Sequence, residues 1–168
     1  RPGDVWMPDP ELSGRILPFL PMLIQPLAEA GRTPFGSELG LAESSRATAA
    51  QYIRVLQNLA IEAKTSKSDI SEDVAHAARW SMKRLNQALD GYDPEGLERP
   101  KLLAEQAGRY VFTEHAYVAE DELHEELWRD DLPILAADKE LHRLHAAFQL
   151  KRLSACVEMQ AHPELVDD

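Results

Sequence analysis

The sequence predicts an all-α fold, a bundle of five or six helices preceded by an extended, proline-rich N-terminal arm. Apolar residues recur every three or four positions in several segments, and none alternates apolar with polar residues as a half-buried strand does. Leucine and alanine, which favour helices, supply most of the apolar residues. We therefore expect an arm over residues 1–13 and a single helical domain over residues 14–168, one that could be subdivided near residues 91–99.

The elements at the N-terminal end are predicted from prolines and from helical periodicity. Pro2, Pro8 and Pro10 interrupt residues 1–13, so this stretch is expected to be extended. Residues 16–27 are strongly apolar but contain three prolines, which predicts short helical turns that are buried in this domain or against a partner. The first long helix is predicted over about residues 45–64, where an apolar stripe recurs with helical spacing.

Four more helices are predicted from capping residues and prolines. The second long helix, about residues 69–90, follows serines that suit an N-cap and ends at Gly91. Pro100 suits the first turn of a shorter helix, and Pro133 precedes the last one. The remaining predicted helices cover about residues 100–110, 113–129 and 134–160.

The distribution of charge predicts two surfaces of opposite sign. The chain has 18 basic and 29 acidic residues, a formal net charge of −11, which excludes a generally basic nucleic-acid coat and a polybasic membrane binder. Residues 46–84 carry seven basic and four acidic residues, whereas residues 113–140 carry ten acidic and two basic residues. The acidic stretch is expected to bind a protein partner or a second copy of the chain, and the basic stretch leaves room for nucleic acid.

Residues 34–56 resemble helix-turn-helix sequences. The stretch from Glu38 to Leu41 matches the turn, and the stretch from Ser45 to Leu56 matches the second helix, which opens with small polar residues. The resemblance implies that this second helix contacts DNA through side chains near its N-terminal end. The residues expected at the nucleic acid are Ser45, Arg46, Thr48, Gln51 and Arg54.

A repeated pattern of aspartate, histidine and tryptophan supports an alternative function, a metal site in a helical bundle. The two copies have the same spacing and lie 48 residues apart, and the spacing places each copy on one helix face. Carboxylates and imidazoles at such spacing ligate divalent or dinuclear metals in helical bundles. The candidate ligands are Asp73, His76, Asp121 and His124, and the tryptophans of the two copies are Trp80 and Trp128.

A second alternative rests on Arg109 and His115. Their spacing resembles that of HEPN-type ribonucleases, which are helical bundles, although Tyr110 stands where that family usually has a polar residue. We find no glycine-rich phosphate loop, no G-x-S-x-G and no H-E-x-x-H motif. The favoured interpretation is a cytoplasmic binding or regulatory module that is not an enzyme, needs no cofactor and does not act at a membrane.

Overall fold

The computed structural model describes residues 48–65, 69–91, 94–136 and 141–160. The predicted arm, the apolar segment over residues 16–27 and residues 34–47 of the segment that resembles a helix-turn-helix therefore lie outside the described residues. Within the described ranges, two long helices come first, and short strands then alternate with short helices. The elements are α1 (Ala49–Thr65), α2 (Glu72–Ala88), β1 (Leu102–Gln106), β2 (Arg109–Thr113), β3 (Tyr117–Val118), α3 (Glu122–Trp128), β4 (Ile134–Leu135), α4 (His142–Ala147), β5 (Lys151–Arg152) and α5 (Leu153–Gln160).

The all-α prediction is wrong, because the C-terminal half of the described chain builds a mixed five-stranded sheet in the order β2-β1-β4-β3-β5. Strand β1 pairs antiparallel with β2 and β4, whereas β3 pairs parallel with β4 and β5. The predicted helix over residues 100–110 is a β-hairpin instead. The last predicted helix is broken into β4, α4, β5 and α5, and only the end of the predicted helix over 113–129 is helical, as α3.

The two long helices confirm the helical periodicity of residues 49–88. Ser71 is the N-cap of α2, and its side chain accepts a hydrogen bond from the Val74 N–H. Helices α1 and α2 pack against each other, and the rings of Tyr52 and Trp80 meet edge to face with centroids 6.0 Å apart. Leu56 and Leu85, one on each helix, are completely buried. The predicted stripes of apolar residues are therefore the contact between these helices and the rest of the core.

The hairpin of β1 and β2 is closed by a two-residue turn, Ala107-Gly108. Both residues have positive φ, 51° and 71°, the backbone combination that matches the twist of a tight hairpin. Gly108 adopts it without steric cost, because it has no Cβ. Strand β2 reads Arg-Tyr-Val-Phe-Thr, and its aromatic and β-branched side chains suit a pleated, half-buried surface. Hydrophobic packing and turn chemistry thus both favour strands here.

The core lies between the long helices and the sheet. Leu103 of β1 and Leu144 of α4 are both completely buried in the same hydrophobic cluster as the α1 and α2 side chains. Helix α2 contacts both β1 and α4, so it holds the two halves of the described chain together. None of the helices within the described ranges has the length and apolarity that crossing a membrane requires.

Candidate functional site

The residues predicted to contact nucleic acid are only partly described, and two of them stabilise the start of α1. Ser45 and Arg46 lie outside the described residues. Thr48 and Gln51 form a capping box: the Thr48 N–H donates to Gln51 Oε1 at 2.8 Å, and the Gln51 N–H donates to Thr48 Oγ1 at 3.4 Å. Their polar groups are therefore engaged in capping the N-terminal end of α1. Arg54 lies on the exposed side of α1, one turn further along.

Two of the basic residues in the stretch 46–84 are occupied by contacts within the fold. Arg79 forms an ion pair with Glu72 at 2.7 Å and donates a hydrogen bond to the Tyr110 hydroxyl at 2.9 Å. Arg84 lies over the ring of Trp80, with 5.3 Å between its guanidinium carbon and the ring centroid. Arg79 thus links α2 to β2, and Arg84 packs on a neighbouring side chain of its own helix. The mildly basic composition of residues 46–84 therefore does not produce a basic surface of the same size.

The two copies of the aspartate, histidine and tryptophan pattern occupy different positions on their helices. Asp73 is the second residue of α2, after the N-cap serine, and His76 is exposed. Asp121 is itself the N-cap of α3 and accepts a hydrogen bond from the His124 N–H at 2.9 Å. Trp80 is buried in the core. The repeat in the sequence is therefore not a repeat in the structure.

No group of three or more histidine, cysteine, aspartate or glutamate side chains within the described ranges is placed to hold a metal ion. The ribonuclease-like pair also lacks its helical setting, because Arg109 begins β2 and His115 follows the end of that strand. The structure thus places Asp73 and Asp121 at the N-terminal ends of helices, His76 on the surface and Arg109 in the hairpin.

The feature that distinguishes the described surface is a pair of apolar residues on α3. Leu123 and Leu127 are 65% and 62% exposed, although they are large hydrophobic residues one helical turn apart. Helix α3 has no buried residue at all. We call Leu123, Leu127 and the carboxylates beside them the α3 face. Its acidic residues are Glu122, Glu126, Asp130 and Asp131, whereas Glu125, two positions from each leucine, lies on the other side of α3.

Capping interactions hold α3 in place. At the start of α3, Asp121 Oδ2 lies 2.8 Å from His124 Nδ1, and the N–H of His124 that binds this carboxylate lowers the pKa of Asp121. Glu120 accepts hydrogen bonds from the Ser154 N–H and hydroxyl at the start of α5. Burial raises the pKa of Glu120, but these hydrogen bonds outweigh burial and leave it below its usual value. Helix α3 also contacts α5, so it is attached to the fold by this packing as well as by its capping interactions.

His145 of α4 lies in surroundings that disfavour a positive charge on its ring. Its Nε2 is buried and accepts no hydrogen bond within the described part of the chain. Burial lowers the pKa of His145, and the positive charges of His142 and Arg152 lower it further. The folded protein therefore favours the neutral imidazole more strongly than the unfolded chain does.

We expect this histidine to make the folded state less stable in mild acid. The unfolded chain binds the proton near the usual pKa of about 6.5, whereas the folded chain resists it, so the free energy of unfolding falls as the pH drops from about 7.5 to about 5.5. His145→Gln should reduce this fall, as measured by urea unfolding across that range. The exposed His76→Gln serves as the matched control. An unchanged pH dependence in His145→Gln would contradict the prediction.

The chain matches no protein-family model, no curated protein and no solved structure. Its function has to be inferred from its own surfaces.

Proposed function

We propose that this chain is a non-enzymatic binding module whose α3 face binds a basic, amphipathic segment of a partner protein. The observation that carries the proposal is the exposure of Leu123 and Leu127 on a helix that has no buried residue of its own. Large hydrophobic side chains that stand together on a surface are typical of protein-binding sites.

The surrounding charge defines the chemistry of the partner. Glu122, Glu125 and Glu126 lie on the same seven-residue helix as the two leucines, and Asp130 and Asp131 follow it. The one basic residue in this stretch, Arg129, lies 3.9 Å from Glu125 and neutralises only part of the negative charge. A segment with two apolar side chains flanked by lysine or arginine would complement both features.

The binding test uses a short fluorescein-labelled helix-forming peptide built from leucine and lysine, titrated with the full chain in a fluorescence anisotropy assay. Leu123→Ser together with Leu127→Ser should weaken binding about tenfold or more, because each substitution removes apolar surface that the bound peptide would cover. Ile61→Ser is the matched control: Ile61 is 64% exposed but lies on α1. Circular dichroism should show that all variants remain folded.

Three results would contradict the proposal. The first is equal binding by the double serine variant and the native chain. The second is equal loss of binding in Ile61→Ser, which would mean that the peptide adheres to any exposed apolar residue. The third is that light scattering detects an oligomer of the native chain and only a monomer of the double serine variant. The occupant of the α3 face would then be a second copy of this chain.

A further inference from the structure

A second surface, separate from the α3 face, is a cleft beside the β3–β5 edge of the sheet. Its volume is about 580 Å³. The parallel pairing of β3 with β5 sets Tyr117 beside Lys151, and the turn that follows α4 closes one side. The residues that line the cleft are Arg99, His115, Ala116, Tyr117, Gln149, Leu150 and Lys151.

The polar lining is cationic. Arg99 and Lys151 bring two permanent positive charges and His115 adds an imidazole, and among the residues that the structure describes no carboxylate lines the cleft. Neither Arg99 nor Lys151 has an ion-pair partner among the residues the structure describes. The acidic neighbour, Glu114, binds Lys101 at 2.7 Å, and this lysine holds the pKa of the carboxyl below its usual value. Arg99 donates one hydrogen bond to the Phe148 carbonyl, and its remaining N–H groups and the Lys151 ammonium are available to an anion.

The backbone conformation of Gln149 is a second observation that points to a ligand in this cleft. The end of α4 is a Schellman motif, in which the Gln149 N–H donates to the Ala146 carbonyl and the Leu150 N–H donates to the His145 carbonyl. The residue at the Gln149 position of this motif is usually glycine, because its φ is positive; here φ is 49°. A glutamine thus occupies a backbone conformation that disfavours side chains, and it does so where its residue lines the cleft.

We infer that this cleft binds a small molecule that carries a phosphate group. Two permanent positive charges match the double negative charge of a phosphate monoester, and arginine and lysine are the side chains that most often bind phosphate. The glutamine amide adds hydrogen-bonding capacity at the rim. Tyr117, Ala116 and Leu150 offer an aromatic ring and apolar surface to the remainder of the ligand.

The test is a titration of the full, isotope-labelled chain with inorganic phosphate at constant pH and ionic strength, followed by NMR. The backbone amide signals of Ala116, Tyr117, Leu150 and Lys151 should shift together and saturate. Lys151→Gln should weaken binding about three- to fivefold, since its exposed charge acts through solvent. Arg109→Gln removes the same charge at the opposite edge of the sheet and should leave binding unchanged.

Gln149→Gly separates ligand binding from folding. The glycine variant should bind phosphate more weakly, because it lacks the side-chain amide that contacts the ligand. It should also unfold at a higher urea concentration, because the strain at positive φ is relieved. Three outcomes overturn the inference: no saturable shift with phosphate, equal weakening in Lys151→Gln and Arg109→Gln, or equal shifts with acetate at the same concentration. The last outcome would assign the cleft to carboxylates.

Discussion

Leu103→Ala is expected to lower the free energy of unfolding by about 2–5 kcal/mol, the range for truncating a buried leucine. Leu103 is the second residue of β1, is completely buried and belongs to the cluster that joins the sheet to the long helices. Its backbone faces Phe112 across the hairpin, and its carbonyl accepts a hydrogen bond from the Ala136 N–H. The substitution therefore removes packing at the point where hairpin, sheet and helices meet.

Leu127→Ala is the matched control for this measurement. It makes the same chemical change on a side chain that is 62% exposed, so the free energy of unfolding should change by no more than about 0.5 kcal/mol. Both variants are measured by urea unfolding, and the slope of the unfolding free energy against urea concentration should equal that of the native chain. Equal losses in the two variants would mean that Leu103 is not in a core, and the packing of β1 against α2 would then be wrong.

The long helices could be predicted because their signal is local. Periodic apolar residues and the serine cap at Ser71 determine α2 without reference to the rest of the chain, and the structure agrees within a few residues. Thr48 and Gln51 also had a local signal, a threonine followed three residues later by glutamine, which predicts a capping box as readily as a DNA contact.

The sheet could not be predicted from the periodicity of apolar residues. Strands β3, β4 and β5 are two residues long, too short to show any alternation, and they exist only because distant segments pair. Leu102 to Ala104 are all buried, so β1 has the continuous apolar run that a helix segment also shows. The sequence does contain a local signal for β2. The four residues from Tyr110 to Thr113 begin two positions after Gly108, and all of them are aromatic or β-branched.

The same difference between local signals and contacts of distant segments applies to the candidate sites. The concentration of acidic residues between positions 113 and 140 could be counted from the sequence, and it predicted an acidic surface for a partner. The exposure of Leu123 and Leu127 could not be predicted, because a helical stripe of leucine usually marks the buried side. The cleft joins Arg99, His115 and Lys151, which are far apart in sequence and meet only through the pairing of β3 with β5.

Asn86 shows how one buried polar residue links the two halves of the described chain. Helix α4 begins after Leu141, an N-cap whose side chain makes no capping hydrogen bond. The acceptor comes instead from α2: Asn86 Oδ1 accepts from the Leu144 N–H at 3.0 Å, and Asn86 is only 9% exposed. A side chain 58 residues earlier in the chain therefore satisfies a donor in the first turn of α4.

Asn86→Leu should lower the free energy of unfolding by about 1–3 kcal/mol, because it leaves the buried Leu144 N–H without an acceptor. Urea unfolding measures the loss, and hydrogen exchange at the Leu144 amide should become faster. Gln87→Leu makes a similar polar-to-apolar change at the adjacent, exposed position and should alter stability by no more than about 0.5 kcal/mol. Native stability together with unchanged exchange at Leu144 in Asn86→Leu would show that Asn86 does not cap α4.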